Sequence, residues 1–375
     1  MVHRFLKIAL ICILSFIGLV VVIGGGYIGY ISIQFYRLPA ELDVTDEIHH
    51  QVTTAVELDT SYHIATYNIG FGAYTRDFSF FMDSGEMLDG TKLSGTGSKA
   101  ASKEVVLANT EGVINVISEH QPDFMFFQEV DIDATRSHHV NQYELLQNSF
   151  TEYASTFAYN FHSAFLFYPI LDPHGATDAG IATFSKHQID SSIRYKLPID
   201  ESFPNKFFDL DRCFMVTKIP VAGGKTLVLI NVHLSAYDEG GIVRQAQMQL
   251  LTTILEAEYQ NDNYVIVGGD FNHDIASSLN TFPTEQKVPE WVYVLEESQL
   301  PTGYRFASSN AKPTCRSTDM AYIPGVNYTV TIDGFIVSNN VETVQVENIT
   351  TLGAEDISFM YSDHNCVVLE FQLAE

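Results

Sequence analysis

The chain has 375 residues, of which 46% are hydrophobic and 18% charged, so it has enough apolar material for a packed core and is not a disordered polymer. It carries 46 acidic against 20 basic side chains, a formal net charge of −26, and no run of Lys or Arg. Proteins that bind nucleic acids through their phosphates need clustered cations, so this composition disfavours a tight, non-specific nucleic-acid binder.

The chain begins with an apolar segment, residues 8–33, that contains no Asp, Glu, Lys or Arg. It is long enough to cross a bilayer and longer than the apolar region of about 7–15 residues in a cleaved signal peptide. We therefore predict that residues 1–36 are an N-terminal tail and a retained single-pass transmembrane anchor. Basic Arg4 and Lys7 precede the span, so the N-terminus is expected inside the cell and the rest of the chain outside the cell membrane.

Residues 37–60 are polar and acidic with little periodicity, which predicts a juxtamembrane linker, and residues 61–375 read as one domain. Helical spacing predicts helices over 103–120 and 242–259. Strand-like segments outnumber them, which favours stacked sheets flanked by helices over one doubly wound sheet. These segments are 62–69, 123–128, 179–184, 213–219, 227–233, 264–268, 330–337 and 366–371.

An irregular stretch rich in Gly, Ser and Asp, residues 71–102, follows the first of these strands. Loops of this length are usually functional or disordered, so the stretch is either a lid over a site or a disordered insertion.

Three cysteines lie beyond the anchor, Cys213, Cys315 and Cys366, and they form no C-x-x-C pair. Buried, inert thiols are expected, and one disulfide between two of them stays open as an alternative.

Polar residues follow the apolar strands at their C-terminal ends, where ligand crevices form in many sheet proteins. They are Asn68, Glu129, His233 and the pair Asp270 and Asn272. Each alone fits a turn or a hydrogen-bonded core residue. Together they are more informative, because Asp270 and Asn272 are two residues apart and would face the same way, one as a carboxylate and one as a neutral donor.

Asp363 and His364 stand side by side just before the last strand, where a loop can direct both into one site. Hydrolysis of a phosphate ester requires a hard cation on carboxylate oxygens, a group that orients or deprotonates water, and donors for the developing charge. The residue types at these strand ends supply all three.

Six motifs in this order, TYNIGFG, FFQEVD, NVHLS, GGDFNHD, IDGFIVS and YSDHN, resemble the endonuclease/exonuclease/phosphatase superfamily, and the resemblance runs from residue 62 to the C-terminus. That superfamily includes DNase I-like nucleases, neutral sphingomyelinases and inositol polyphosphate phosphatases. The resemblance implies a four-layered α/β sandwich, with two packed, mostly antiparallel (mixed) sheets flanked by helices. The transmembrane helix would make this chain a membrane-anchored, bacterial-type member.

The resemblance also implies a metal site. Glu129 matches the principal Mg²⁺-ligating carboxylate, Asn68 lies close to that metal, and Asp363 matches a second metal-associated carboxylate. Mg²⁺ is the expected cofactor, with Mn²⁺ as an alternative.

The implied catalytic residues are five. Asp270 matches the residue that orients or deprotonates the attacking water, and Asn272 matches its neighbour that supports the transition state. His364 matches the histidine on the scissile phosphate, with Asp333 as its carboxylate partner, and His233 matches a histidine of the nuclease-like and sphingomyelinase-like branches.

Arg136 and Arg212 are candidate phosphate contacts, with structural ion pairs as the competing interpretation. Gly334 departs from the aromatic residue that follows the matching aspartate in many members, which weakens any inference about the substrate.

The sequence thus predicts a membrane-anchored, metal-dependent phosphoesterase that acts by water attack. The anchor and the acidic composition favour a lipid head group or another surface phosphoester over DNA or RNA. An extracellular endonuclease or exonuclease is the first alternative, and a catalytically silent surface binding module of the same fold is the second.

Overall fold

The structure is a computed structural model that describes residues 2–236 and 242–374. Residues 1 and 375, the outer ends of the predicted anchor and of the predicted domain, lie outside the described residues. The predicted N-terminal apolar helix is present as α1, Val2–Gln34. Its mean hydropathy reaches 2.9 and its most apolar window is not buried in the protein, so by length and composition it can cross a membrane.

Two large sheets form the body of the protein. In chain order their strands are β1 Glu41–Asp43, β2 Ser61–Asn68, β3 Phe124–Ala134, β4 Ala154–Leu166, β5 Gly175–Ser185, β6 Ser191–Lys196, β7 Cys213–Pro220, β8 Thr226–His233, β9 Tyr264–Asp270, β10 Tyr304–Ala307, β11 Asp333–Ser338, β12 Val341–Asn348 and β13 Val367–Leu373. The seven-stranded sheet has the order β1-β6-β7-β8-β9-β11-β10, and the six-stranded sheet has the order β12-β13-β2-β3-β5-β4.

Both sheets are mixed, as predicted. In the seven-stranded sheet β8 and β9 are parallel, and in the six-stranded sheet β2 and β3 are parallel, whereas the other neighbouring strands run antiparallel. The carboxyl ends of each parallel pair reach the same edge of its sheet, which is where the polar residues of the sequence analysis stand.

Within residues 2–236 and 242–374 three helices cover the sheets: α2 Lys103–His120, α3 Gln142–Ser149 and α4 Ile242–Gln260. Phe126, Leu229 and Phe335 pack in the core between the two sheets. A second core lies between the six-stranded sheet and α2, and a third between the seven-stranded sheet and α4. The layers are therefore helix, sheet, sheet, helix, and the prediction of a four-layered sandwich is confirmed.

The remaining regular elements are short. Two- and three-residue strands pair as Ser84–Glu86 with Lys92–Ser94, His273–Asp274 with Tyr293–Val294, Cys315–Arg316 with Thr329–Val330, and Thr351–Leu352 with Glu355–Asp356. Turns of 3-10 helix occupy Thr45–Glu47, Gly70–Gly72, Thr135–Ser137, Asn205–Phe207 and Glu297–Gln299.

The structure gives contacts to two segments whose conformation the sequence left open. The 37–60 segment does not stand clear of the sheets, because Glu41–Asp43 pairs with β6 and the backbone of His49 pairs with Ser155. Within 71–102, the Ser84–Glu86 strand begins a small hairpin, so the stretch is folded against the domain. The three cysteines beyond α1 are buried and free.

Candidate active site

Strand register places three of the predicted site residues side by side on the seven-stranded sheet. His233, the last residue of β8, lies opposite Asp270 at the end of β9, and Asp270 in turn lies opposite Asp333 at the start of β11. On the other sheet Asn68 ends β2 opposite Gln128 of β3. The two edges face each other, so the site forms where both sheets end.

Glu129 enters this site through a β-bulge. The pairing of β3 with β5 shifts register between Phe127 and Val130, and Glu129 between them has a φ of 54°. A positive φ is uncommon for a residue other than glycine, and such strained positions concentrate at functional sites. The bulge turns the Glu129 side chain out of the ladder, and it stays 24% exposed where its neighbours are fully buried.

His364 and Asp333 form a buried pair. The Nδ1 atom of His364 lies 2.8 Å from Oδ2 of Asp333, and the peptide unit of His364 is held by a β-bridge to Cys315. Burial alone would lower the pKa of His364, but the nearby carboxylates, Asp333 first and Asp270 after it, raise the pKa well above its ordinary value. His364 is therefore a cation at neutral pH.

Asp270 lies at the centre of the cluster. Its Oδ2 is 3.7 Å from Nε2 of His364 and 3.6 Å from Nε2 of His233, and its Oδ1 accepts a hydrogen bond from the backbone N–H of Asn272. Burial, together with the Asp333 carboxylate, raises the pKa of Asp270 to about 7. A carboxylate with such a pKa is a competent general base near neutral pH.

Asn68 joins the two sheets within the site. Its Nδ2 donates to Oδ2 of Asp270 at 3.0 Å and to Oε1 of Glu129 at 3.3 Å, while its Oδ1 accepts from the backbone N–H of Gly70. The side chain is completely buried. Asn68 thus fixes the separation of the two carboxylates.

His233 and Asn272 complete the wall around Asp270. Burial and the positive charges of Arg212 and His364 lower the pKa of His233 well below its ordinary value, so its imidazole is neutral. The Nδ2 of Asn272 donates to the carbonyl of Leu234 at 2.8 Å. An amide NH₂ carries two hydrogens, so Asn272 can still donate one to a ligand.

The donor set fits a divalent cation. Burial and the Glu129 carboxylate raise the pKa of Asp363 to about 6, so these two acidic groups repel each other and a cation between them would relieve that repulsion. Glu129 and Asp363 offer the carboxylate oxygens that Mg²⁺ prefers, and Asn68 is bonded to one of them.

A second set of potential ligands lies beside the first. Asp270, Asp333 and His364 have ligand atoms within 4.8 Å of one another. However, Nδ1 of His364 already forms a hydrogen bond with Oδ2 of Asp333. Carboxylates also suit Mg²⁺ better than imidazole does, which favours the Glu129 side as a place for a cation.

Both predicted arginines reach the wall of the site's cavity with protein partners. Arg136 is buried, pairs with Asp131 at 2.8 Å and stacks over the ring of Phe71 at 4.1 Å. Arg212 donates through Nη1 to the carbonyls of His233 and Leu234. Their role as phosphate contacts stays a prediction.

Other residues of the site were not anticipated from sequence. Ser362 accepts from the backbone N–H of His364 at 3.2 Å and donates to the carbonyl of Asn68 at 2.8 Å, which ties the final loop to β2. Arg316 is 2% exposed and its backbone N–H donates to the carbonyl of Asp363. Ser362 could have been noticed from its place beside Asp363 and His364, whereas nothing in its local sequence marks Arg316.

A cavity of about 970 Å³ opens from this cluster. It reaches Glu129, Asp270 and His364 at one end and includes Tyr27 of α1 in its lining. Phe80, Phe81 and Met82 of the 71–102 stretch also line it, so that stretch forms part of the cavity wall.

Two mixed sheets with buried acids and histidines at one edge define a DNase I-like α/β sandwich protein. The model of the Endonuclease/Exonuclease/phosphatase family matches residues 65–364, and the chain belongs to this family. Its members are generally metal-dependent phosphoesterases or nucleases. A comparison with curated protein sequences returns no significant match.

Solved structures with the same fold include D. rerio TDP2 complexed with single-strand DNA product, at 14% identity and a TM-score of 0.51, covering 84% of this chain and 100% of that one. The endonuclease/exonuclease/phosphatase from Beutenbergia cavernae matches at 15% identity and a TM-score of 0.51, with 84% and 72% covered. The endonuclease/exonuclease/phosphatase from Bacteroides vulgatus matches at 19% identity and a TM-score of 0.50, with 84% of this chain and 100% of that one covered. At these identities the likeness concerns the fold.

Proposed function

We propose that this protein is a membrane-anchored, Mg²⁺-dependent phosphoesterase that hydrolyses a phosphodiester or phosphomonoester by in-line attack of water. The observation that carries the proposal is the position of Asp270, a carboxylate with a pKa of about 7 whose Oδ2 lies 3.7 Å from Nε2 of the cationic His364. A base and an acid with well-separated proton affinities, side by side in a cleft, are what hydrolysis of a phosphate ester requires.

Asp270 accepts the proton of the attacking water. The hydrogen bonds from the Asn272 backbone and from Nδ2 of Asn68 hold its carboxylate in one orientation, so little reorganisation is needed when the proton arrives.

His364 donates to an oxygen of the scissile phosphate. Its Nδ1 is bound to Asp333, so the hydrogen on Nε2 is the one free to reach the substrate. The second amide hydrogen of Asn272 supports the charge that develops on phosphorus, and neutral His233 is a further contact on the same side.

Glu129 and Asp363 would hold the Mg²⁺ or Mn²⁺ ion, with Asn68 beside it. When bound, the cation offsets the negative charge on the phosphate and its leaving oxygen. Arg136 and Arg212 line the same cavity and are proposed as phosphate contacts.

The cell membrane is the proposed location, with α1 as a single-pass anchor and the catalytic domain outside. A lipid head group or another surface phosphoester is favoured, because the anchor holds the site near a bilayer and the net charge of −26 repels polyanions. DNA or RNA is the alternative, since a protein of this fold, D. rerio TDP2, has been crystallised with single-strand DNA product.

The test uses the purified full-length chain and a soluble ester, bis-p-nitrophenyl phosphate, followed by nucleic acids, sugar phosphates and lipids. We expect Mg²⁺-dependent turnover that a chelator abolishes and added Mg²⁺ restores. Asp270→Asn should lower the rate by about 10²–10⁴-fold. The matched control is Asp262→Asn. Asp262 is an exposed aspartate two residues before β9, at the end of the strand away from Asp270, so this variant should keep the rate. No turnover of any ester with either Mg²⁺ or Mn²⁺ would favour the silent binding module.

A further inference from the structure

The loop between β4 and β5 exposes a continuous run of apolar side chains. Residues 167–171 read FYPIL, and the exposed fractions of Phe167, Tyr168, Ile170 and Leu171 are 56%, 68%, 82% and 98%. Exposed runs of this kind are uncommon in soluble domains and mark a surface that meets something apolar.

This loop and the last two residues of β4, together here called the first rim loop (residues 165–171), contact α1. The hydroxyl of Tyr27 donates to the carbonyl of Phe165 at 3.2 Å, and the backbone N–H of Phe165 donates to the hydroxyl of Tyr30 at 3.2 Å. The rings of Tyr27 and Phe167 lie 5.4 Å apart, edge to face. The loop therefore lies beside the last two turns of the anchor helix.

A second rim loop, residues 203–208, meets the chain just beyond α1. The ring of Phe207 packs edge to face on Phe35 at 5.2 Å, and Nη2 of Arg37 donates to the carbonyl of Lys206 at 2.8 Å. In this loop Phe203 is 65% exposed. Both rim loops thus expose apolar side chains next to the point where the chain leaves the membrane helix.

With α1 taken as a membrane span, its length is compatible with these loops at the bilayer surface. A helix of 33 residues is about 50 Å long, whereas the hydrocarbon core is about 30 Å thick. The apolar run ends at Ile33 and Arg37 follows it, while Tyr27 and Tyr30 are the aromatic residues expected at the interface. Because the first rim loop contacts Tyr27, its exposed side chains would lie at interfacial depth if α1 spans a bilayer.

The cavity of the site continues to this surface. Its wall includes Glu129 and His364 at the catalytic end, and Tyr27, Phe167 and Phe208 at the rim loops. The lining includes Phe71, Phe80 and Phe81, whose rings contact one another in that order, and Phe81 packs against Tyr168 of the first rim loop at 5.6 Å. An apolar passage between a bilayer surface and a phosphate-handling cluster suits an amphiphile and not a polyanion.

We propose that the substrate is a membrane phospholipid, drawn from the bilayer that holds α1. The rim loops insert their apolar side chains into the interface, the aromatic passage holds the apolar part of the lipid, and the head-group phosphate reaches Asp270 and His364. This inference rests on the proposed function and names the substrate class of the same site.

The experiment uses the full-length chain reconstituted into vesicles of phosphatidylcholine, phosphatidylglycerol and sphingomyelin in equal parts, with Mg²⁺. Released head groups are measured by mass spectrometry, and hydrolysis of bis-p-nitrophenyl phosphate is measured on the same preparations. Leu171→Asp and Phe203→Asp, singly and combined, place a charge on each rim loop at positions outside the cavity lining.

The combined variant should release head groups at least about tenfold more slowly than the unchanged protein, because two apolar contacts with the interface are lost. Its rate on bis-p-nitrophenyl phosphate should stay within about twofold. The matched control is Val344→Asp, which alters an exposed valine of β12 at the opposite edge of the six-stranded sheet from β4. It should affect neither rate.

Equal head-group release by the combined variant and the unchanged protein would overturn the inference. Turnover of bis-p-nitrophenyl phosphate or of DNA without release of any head group would overturn it as well, while leaving the proposed function in place. Absence of turnover on every ester tested, soluble or lipid, would overturn the proposed function and this inference together.

Discussion

The imidazole of His364 and the carboxylate of Asp333 lie 2.8 Å apart, and both side chains are almost completely buried. They come from different elements, since Asp333 begins β11 of the seven-stranded sheet and His364 precedes β13 of the six-stranded sheet. The pair therefore depends on the packing of the two sheets, and it fixes both the charge and the orientation of the imidazole.

Replacing Asp333 with Asn removes the negative charge of the carboxylate while keeping the shape of the side chain. The imidazolium loses its nearest counter-charge, so kcat/KM on bis-p-nitrophenyl phosphate should fall by about 10²–10⁴-fold. The measurement is steady-state kinetics at saturating Mg²⁺. A variant that kept half of the original kcat/KM would show that the pair has no part in turnover.

Asn68→Ala should weaken metal binding. Without the Asn68 amide, the carboxylates of Glu129 and Asp270 lose the donor that sets their separation. Loss of such a supporting contact costs about 10–100-fold in metal affinity. Titration of activity with Mg²⁺ should show the midpoint rising by that factor, with His63→Ala, at the other end of β2 and partly exposed, as the control. An unchanged midpoint in Asn68→Ala would exclude this role.

Asn231→Ala should destabilise the sandwich. Asn231 of β8 donates to the carbonyls of Phe127 and Ala182 in the opposite sheet and accepts from Nε2 of Gln128 at 2.8 Å. The substitution leaves these buried groups without partners, which should cost about 1–3 kcal/mol in the free energy of unfolding. Urea denaturation in detergent measures it. A loss below about 0.5 kcal/mol, the range of surface substitutions, would contradict the assignment.

His174 should make the protein less stable in acid. Burial, with a smaller contribution from Arg136, lowers the pKa of His174 from 6.5 to about 4. Between these values the unfolded chain binds more protons than the folded one, so stability falls as the pH falls through this window, by about 3 kcal/mol at most. His174→Gln should flatten the dependence of the urea midpoint on pH there. An unchanged slope would contradict the prediction.

Much of the fold follows from apolar strands such as β8 and β9, whose unbroken runs of branched residues mark a strand buried on both faces. The strand β4 was not anticipated, because its sequence mixes Ser, Thr, Asn and His with aromatic residues and its pairing shifts register twice. Edge strands of this kind lack a clear alternation. Asn68, His233 and Asp270 could be named from sequence because the carboxyl ends of parallel strands meet at one edge.

Other features depend on tertiary packing. No local pattern marks Glu129 as a bulge residue with a positive φ, since glycine is the usual signal. Likewise the composition of the FYPIL run at 167–171 is typical of a buried segment. The structure instead exposes these side chains, with Phe167 beside Tyr27. The pairing of Glu41–Asp43 with β6 was missed for a similar reason, because three residues are too short for a periodicity.

The measurement that tests the central claim most directly is the fate of water oxygen during hydrolysis of bis-p-nitrophenyl phosphate in H₂¹⁸O. If Asp270 directs water at phosphorus, one ¹⁸O atom should enter the p-nitrophenyl phosphate product and none the p-nitrophenol, and Asp270→Asn should lower the rate of incorporation by about 10²–10⁴-fold. Label in the phenol, or incorporation by Asp270→Asn at the rate of the unchanged protein, would contradict the assignment of this site.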